Sequence, residues 1–166
     1  MANTFVKIQT VTVGSGGAAS IAFTSIPQTY TDLKIVLSAR NTANDNACTV
    51  LFNGSSSDFT NRILFGNGSS AASNTPNTNY LCYLNFSTET ASVFANSEAY
   101  IPNYTSSNFK SYSSDSVQEN NSTTSYQILL AGLWSNSAAI TSITLDPVSG
   151  DFAQYSTATL YGIKSS

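Results

Sequence analysis

The chemistry open to this chain is limited by the side chains that it lacks. Its 166 residues include no histidine, which excludes histidine-dependent catalytic triads and histidine-bound zinc. Carboxylate pairs can still hydrolyse glycosidic bonds, and the candidate carboxylates are Glu89, Glu98, Asp115 and Glu119. No spacing rule selects a pair among them. We therefore expect solvated surface carboxylates, no catalytic residue and no enzymatic activity.

Two other segments offer ligand atoms but are more typical of turns. Residues 41–46, NTANDN, and the pair Asp146 and Asp151 supply oxygen atoms that could bind calcium. Calcium prefers six or more oxygens with several carboxylates, so we predict Asx-rich turns, with calcium as the alternative. The run GSGGAA at 14–19 resembles a dinucleotide-binding turn, but a strand-like SIAFTSI follows it. We predict a hairpin loop there, and neither a cofactor nor a metal.

The two cysteines, Cys48 and Cys82, lie in apolar-rich segments. The beginning of the chain, MANTFVKIQTVTV, lacks the basic region and the apolar region of a secretory signal peptide. We therefore expect synthesis in a reducing cytoplasm. Under those conditions buried free thiols are the expected state. A disulfide remains the alternative if two central strands bring the cysteines face to face.

Low charge excludes two classes of partner. Only 9% of the residues are charged, the net charge is −3 and the pI is near 4.5. Such a chain lacks the basic surface that binds nucleic acid or anionic lipid. Its longest apolar run, ILLAGLW at 128–134, is far shorter than the roughly 20 residues that cross a bilayer. We predict no nucleic-acid partner and no membrane span.

Apolar residues recur with the period of two that is typical of β-strands. In 32–40, for example, Leu33, Ile35, Leu37 and Ala39 share one face. Turn-forming residues separate the strands, and few segments have a helical period. We predict a single all-β domain over 1–166, an antiparallel β-sandwich that is jelly-roll-like. The predicted strands lie at 5–13, 20–26, 32–40, 47–52, 59–65, 80–87, 98–104, 109–117, 125–134, 140–146 and 157–164.

Three loops stand out between these strands. At residues 26–32, Pro27 biases its neighbour toward extended geometry, and Tyr30 can place its ring on the core with its hydroxyl bonded to backbone. We predict a rigid corner there. The segments 66–79 and 113–125 have low complexity, and we expect each to be disordered or ordered by a partner.

The composition is typical of a protein that assembles. Protein interfaces are depleted of charge and enriched in aromatic residues, as this chain is. The aromatic residues and Arg40 are therefore candidates for contacts with other subunits or with glycans, although aromatic rings more often pack in cores. The interface or glycan-contact candidates are Tyr30, Arg40, Tyr104, Tyr112 and Trp134, and Tyr80 and Tyr83 are further stacking candidates.

Four stretches carry a resemblance to a known family. They are FTSIPQTYTDLKIVLSAR, FNGSSSDFTNRILFGNGSS, YIPNY at 100–104 and AGLWSNSAAITSITLDPVSGDFAQYSTATLYGIKSS. Together they resemble a family of small tailed-bacteriophage virion proteins, and the resemblance covers most of the chain. It implies a β-sandwich structural protein located in the virion after assembly in the host cytoplasm. Its motifs are strand and turn residues that imply no catalytic role.

Proteins of this family are either capsid decoration (cement) proteins or parts of tail fibres, and our leading hypothesis is a capsid decoration protein that stabilises the head shell. Its expected partners are the major capsid protein or other virion proteins, and copies of itself in a homo-oligomer, as a trimer. The alternative is a tail-fibre or head-fibre domain that binds host surface glycans.

Overall fold

The structure is a computed structural model that describes residues 4–76, 79–119 and 125–164. The described residues form strands, turns and loops without a helix, and so include no helix that could span a membrane. The strands are β1 (Phe5–Thr12), β2 (Ile21–Phe23), β3 (Asp32–Ala39), β4 (Ala47–Phe52), β5 (Phe59–Gly66), β6 (Ala71–Asn74), β7 (Tyr80–Tyr83), β8 (Ala95–Ile101), β9 (Lys110–Glu119), β10 (Ser125–Trp134), β11 (Ile143–Pro147) and β12 (Thr157–Ile163).

These strands form two antiparallel sheets that pack face to face. The larger sheet has the order β1-β12-β3-β8-β9-β10-β5-β6, and the smaller has the order β2-β11-β4-β7. The chain passes repeatedly from one sheet to the other. The predicted all-β antiparallel sandwich is confirmed.

The core lies between the sheets and follows the predicted alternation. Leu33, Ile35, Leu37 and Ala39 of β3 are all buried, while Val36 and Ser38 face outward. At one end of the core four aromatic rings pack together, with the Phe52 ring 5.4 to 5.7 Å from its neighbours. The four rings belong to Phe52, Phe59, Tyr112 and Trp134.

The corner before β3 is rigid, as predicted, but a different tyrosine holds it. The Tyr104 hydroxyl donates a hydrogen bond to the Pro27 carbonyl, and Gln28 Nε2 donates to the carbonyls of Ile26 at 2.8 Å and Ile140 at 3.0 Å. The Tyr30 ring instead covers Gly162, where an added Cβ would lie 2.3 Å from the ring. Tyr30 therefore packs on the edge of the core without the predicted role for its hydroxyl.

Three predicted loops need correction. Residues 66–79 contain the short strand β6, although 77 and 78 lie outside the described residues. Most of 113–125 belongs to β9, and 120–124 lie outside the described residues. The glycine run at 14–19 is no hairpin, because β1 and β2 belong to different sheets.

Candidate functional site

The larger sheet presents a broad surface on the side away from the smaller sheet. We call this surface the outer face. Its central row runs straight across the strands, because each residue lies opposite the next in the strand register. The row consists of Thr10, Thr159, Val36, Glu98, Asp115, Leu129, Leu64 and Ser73.

One half of the outer face carries an apolar patch, and we call it the apolar half. Leu129 and Leu64 lie directly opposite each other, and they are 46% and 59% exposed. A shallow groove of about 500 Å³ runs beside them toward β6, and Ala71 and Ala72 also line it. Large aliphatic side chains on neighbouring strands that are both half exposed form the kind of patch that marks interaction surfaces.

Charged side chains of both signs lie on the outer face. Lys34 and Glu98 form an ion pair of 2.6 Å, and Asp115 lies opposite Glu98 on the next strand. Lys7 and Arg62 lie in the same row as Lys34, at the two sides of the sheet. The face therefore combines an apolar region with charges of both signs, which suits a protein partner better than a polyanion.

Of the predicted carboxylate candidates, Glu98 and Asp115 lie directly opposite each other and both line a shallow depression of about 260 Å³ on the outer face. Glu98 and Asp115 project from an open sheet face, and Glu98 already pairs with Lys34. Glu89 Oε2 accepts a hydrogen bond from the Phe86 backbone N–H at 3.0 Å in a separate loop. The Glu119 side chain lies outside the described part. Glycoside hydrolysis needs two carboxyl groups that flank the bound sugar. Glu89 lies in a different loop from Glu98 and Asp115, and Glu98 is held in its ion pair with Lys34.

The two oxygen-rich segments, residues 41–46 and 146–151, lie next to each other, and the side-chain amide of Asn41 joins them by hydrogen bonds. Asn41 is fully buried and its Nδ2 donates to the carbonyls of Asp45 at 2.8 Å and Ser149 at 2.9 Å. Gly150 packs against Asn41 so tightly that an added Cβ would lie 2.8 Å from Asn41 Oδ1. Within the described ranges no three acidic or cysteine side chains come together at a metal-binding distance. The arrangement is that of Asx-rich turns held by hydrogen bonds.

The two cysteines are free and lie directly opposite each other on β4 and β7. Both are buried. The hydrogen bond with the Cys82 thiol and burial raise the pKa of Cys48 well above its usual value. Such a thiol is a poor nucleophile at neutral pH, because the thiolate is the reactive form.

Three of the five predicted contact residues cannot reach a partner. Tyr104, Tyr112 and Trp134 are at most 2% exposed, so their surface role is incompatible with the structure and their core role is correct. Burial raises the pKa of Tyr112, whose hydroxyl donates to Asn61 Oδ1 at 2.7 Å. Trp134 Nε1 has no hydrogen-bond partner among the described residues, although the ring packs fully within the core.

Arg40 is also buried, and it organises a loop instead of contacting a surface partner. Its guanidinium donates to four backbone carbonyls between residues 87 and 93, at 2.8 to 3.3 Å. The carbonyls belong to Ser87, Glu89, Thr90 and Val93. A planar guanidinium can serve several acceptors at once, so one side chain fixes the whole loop.

The same loop forms one wall of a cavity at the end of the sandwich, which we call the end cavity. Its volume is about 320 Å³, and it opens between β7 and the ends of β5, β9 and β10. Its lining residues are Asn46, Phe65, Tyr83, Phe86, Glu89, Gln118, Tyr126 and Ile128. Burial, with Tyr80 and Asp45 nearby, raises the pKa of Tyr83, so its hydroxyl is protonated at neutral pH.

Beside the end cavity, polar side chains of the larger sheet bond to the backbone of β7. Ser116 Oγ accepts from the Tyr83 N–H at 3.2 Å, and Ser97 Oγ donates to the Tyr83 carbonyl at 3.4 Å. Ser114 Oγ donates to the Leu81 carbonyl. Gln118 Nε2 donates to the Leu84 carbonyl at 2.5 Å. These bonds join the edge of the smaller sheet to the inner face of the larger one.

Of the residues that line the end cavity, the sequence analysis singled out Tyr83 as a stacking candidate, Glu89 as a candidate carboxylate and Asn46 as part of an oxygen-rich segment, but it did not bring them together. The lining residues come from segments that are far apart in the chain, and only the strand register brings them together. No protein-family model, curated protein or solved structure matches this chain. The outer face and the end cavity are therefore interpreted from their own chemistry.

Proposed function

We propose that this chain is a non-enzymatic structural protein of a bacteriophage virion. Its proposed role is that of a capsid decoration protein, bound to the head shell as a homo-oligomer. The supporting observation is the outer face, where half-exposed Leu64 and Leu129 lie side by side in a chain with few charges. The phage assignment and the trimeric state derive from the sequence resemblance.

The outer face supports attachment because of its size and its chemistry. Eight strands about 4.8 Å apart give a surface nearly 40 Å wide. A standard protein interface buries about 800 Å² on each partner, and the outer face is wide enough to hold one. Burial of the two leucines supplies free energy for association, and the positive and negative charges on the same face orient the partner. A protein that binds only the assembled shell stabilises it by mass action.

Particles with and without the chain provide the test. We expect particles that lack it to release their DNA at a lower temperature, with stability restored when the purified protein is added back. Unchanged thermal stability would count against the proposal. The number of copies per particle then separates decoration, which needs many copies over the shell, from the fibre alternative, which needs few.

A matched pair of variants tests the outer face itself. Leu64→Glu combined with Leu129→Glu places two carboxylates in the apolar half, and we expect the protein to fold but to lose binding to the shell. Val148→Glu is the control, because Val148 is exposed on a turn after β11 and lies outside the outer face. Equal binding by both proteins would exclude the apolar half as the attachment surface.

A further inference from the structure

The end cavity combines aromatic rings that pack on the core with polar groups. Four aromatic rings line it, from Phe65, Tyr83, Phe86 and Tyr126. The hydroxyls of Tyr83 and Tyr126 and the side-chain amide of Asn46 make no hydrogen bond to other described residues. Polar groups that lie half-buried without an internal partner are available to a ligand or to water.

The walls of the end cavity are held in place. Arg40 fixes the loop that carries Phe86 and Glu89, and Glu89 in turn accepts the Phe86 N–H at 3.0 Å. Gln118 Nε2 is bonded to the Leu84 carbonyl, which leaves the side-chain carbonyl of Gln118 for a ligand. A site whose side chains are already positioned loses little entropy when it binds.

The charges of the lining residues limit which ligands the end cavity can bind. Among the described residues that line the end cavity there is no lysine or arginine, and the acidic side chain among them, Glu89, disfavours anions. Phosphates, sulfates and acidic sugars are therefore poor ligands. The rings favour a ligand with an apolar face, while the hydroxyls and amides favour one with several hydroxyl groups.

We propose that the end cavity binds a neutral sugar ring, either free or as the terminal unit of a glycan. Such a ring has one face of C–H groups that packs on an aromatic ring and an edge of hydroxyls that bond to Asn46, Tyr83 and Tyr126. A cavity of about 320 Å³ lies at the small end of the range for ligand sites, which suits a ligand of this size. This inference is independent of the proposed role on the capsid.

The test is a titration of the full chain with free sugars, followed by ligand-observed NMR. The probes are D-glucose, D-galactose, D-mannose and N-acetyl-D-glucosamine, with N-acetylneuraminic acid as the anionic comparison. We expect saturable binding of at least one neutral sugar and weaker or no binding of the anionic one. Absence of binding by all four neutral sugars, or equal binding of the anionic sugar, would overturn the proposal.

Conservative variants locate the site. Tyr126→Phe and Asn46→Ala each remove one hydrogen-bonding group, and we expect each to weaken binding by about two- to tenfold. The matched controls are Tyr155→Phe and Asn96→Ala, because both residues are exposed and neither lines the end cavity. Binding that is unchanged in folded Tyr126→Phe and Asn46→Ala proteins would exclude the end cavity as the sugar site.

A glycan array with the wild-type chain distinguishes the two sources of the ligand. Recognition of glycans with a neutral terminal sugar supports a cell-surface ligand, whereas binding of free sugars alone supports a small metabolite. Failure of shell attachment has no bearing on either outcome, since Leu64 and Leu129 lie outside the end cavity.

Discussion

The ring of Tyr112 covers Gly132, the residue directly opposite it on the neighbouring strand. A Cβ added to Gly132 would lie 2.1 Å from Tyr112 Cζ, which is too close for any side chain. The absent side chain is what lets the phenol reach Asn61 and the carbonyl of Tyr80, at 2.7 and 3.0 Å.

Gly132→Ala should therefore destabilise the protein. We expect a loss of about 1–3 kcal/mol in the free energy of unfolding, because the ring must move out of the aromatic cluster. Urea denaturation followed by tryptophan fluorescence measures the loss. Gly66→Ala is the control, since an added Cβ there has no atom within 4 Å. Equal unfolding midpoints for the two variants would contradict the close contact.

Tyr104→Phe should weaken the corner before β3. The substitution leaves the Pro27 carbonyl without its donor, and a lost buried hydrogen bond costs about 1–3 kcal/mol. Chemical denaturation measures the change. Tyr155→Phe serves as control because Tyr155 is 68% exposed, and it should change stability by less than about 0.5 kcal/mol. A Tyr104→Phe protein as stable as the wild type would show that the bond contributes nothing.

Arg40→Lys should release the loop at 86–93 while the sheets remain intact. An ammonium group keeps the charge but cannot reach four carbonyls in the geometry of a guanidinium. We expect faster backbone hydrogen exchange in this loop and little change in the strands. Arg62→Lys is the matched control, since Arg62 lies on the outer face and its guanidinium bonds to its neighbour's carbonyl. Loop exchange that stays at the wild-type rate would refute the role of Arg40.

Stability should fall at alkaline pH in part through Cys48. Its pKa is raised in the folded protein, so above the usual thiol pKa of about 9.0 the unfolded chain loses a proton that the folded chain retains. The contribution is complete below that pH and decreases by up to about 1.4 kcal/mol per pH unit as the pH rises toward the folded pKa. Urea denaturation between pH 7 and 10.5 measures this slope. Cys48→Ala should show a shallower slope, and identical slopes would exclude the thiol as a cause.

The sequence predicted the core strands well where one face is apolar and the other polar. Leu33, Ile35 and Leu37 alternate with outward residues, and burial follows that alternation. Strand β9 was harder to define, because its inward residues at 114, 116 and 118 are polar and bond to the backbone of β7. Strand β6 was missed because all four of its residues are exposed, which removes any alternation.

The candidate site was harder to predict than the fold. Aromatic type alone did not separate Tyr112, which is buried, from Tyr126, which lines the end cavity. Whether a tyrosine is buried or lines the cavity depends on which strand lies opposite it and on where the two sheets separate. Neither can be read from the residues next to it in the sequence. Arg40 was identified as important, but its partners are backbone carbonyls, which carry no signature in the amino-acid sequence.

The serine side chains of β8 and β9 that bond to β7 have a consequence for association between copies. A strand at the border of a sheet usually offers vacant N–H and C=O groups that can recruit a strand from another molecule. On β7 the Leu81 carbonyl and both backbone groups of Tyr83 are already engaged from within the same molecule. These backbone groups of β7 are therefore not available to pair with a strand of another molecule. Many copies of the chain can lie close together without forming fibres through this edge.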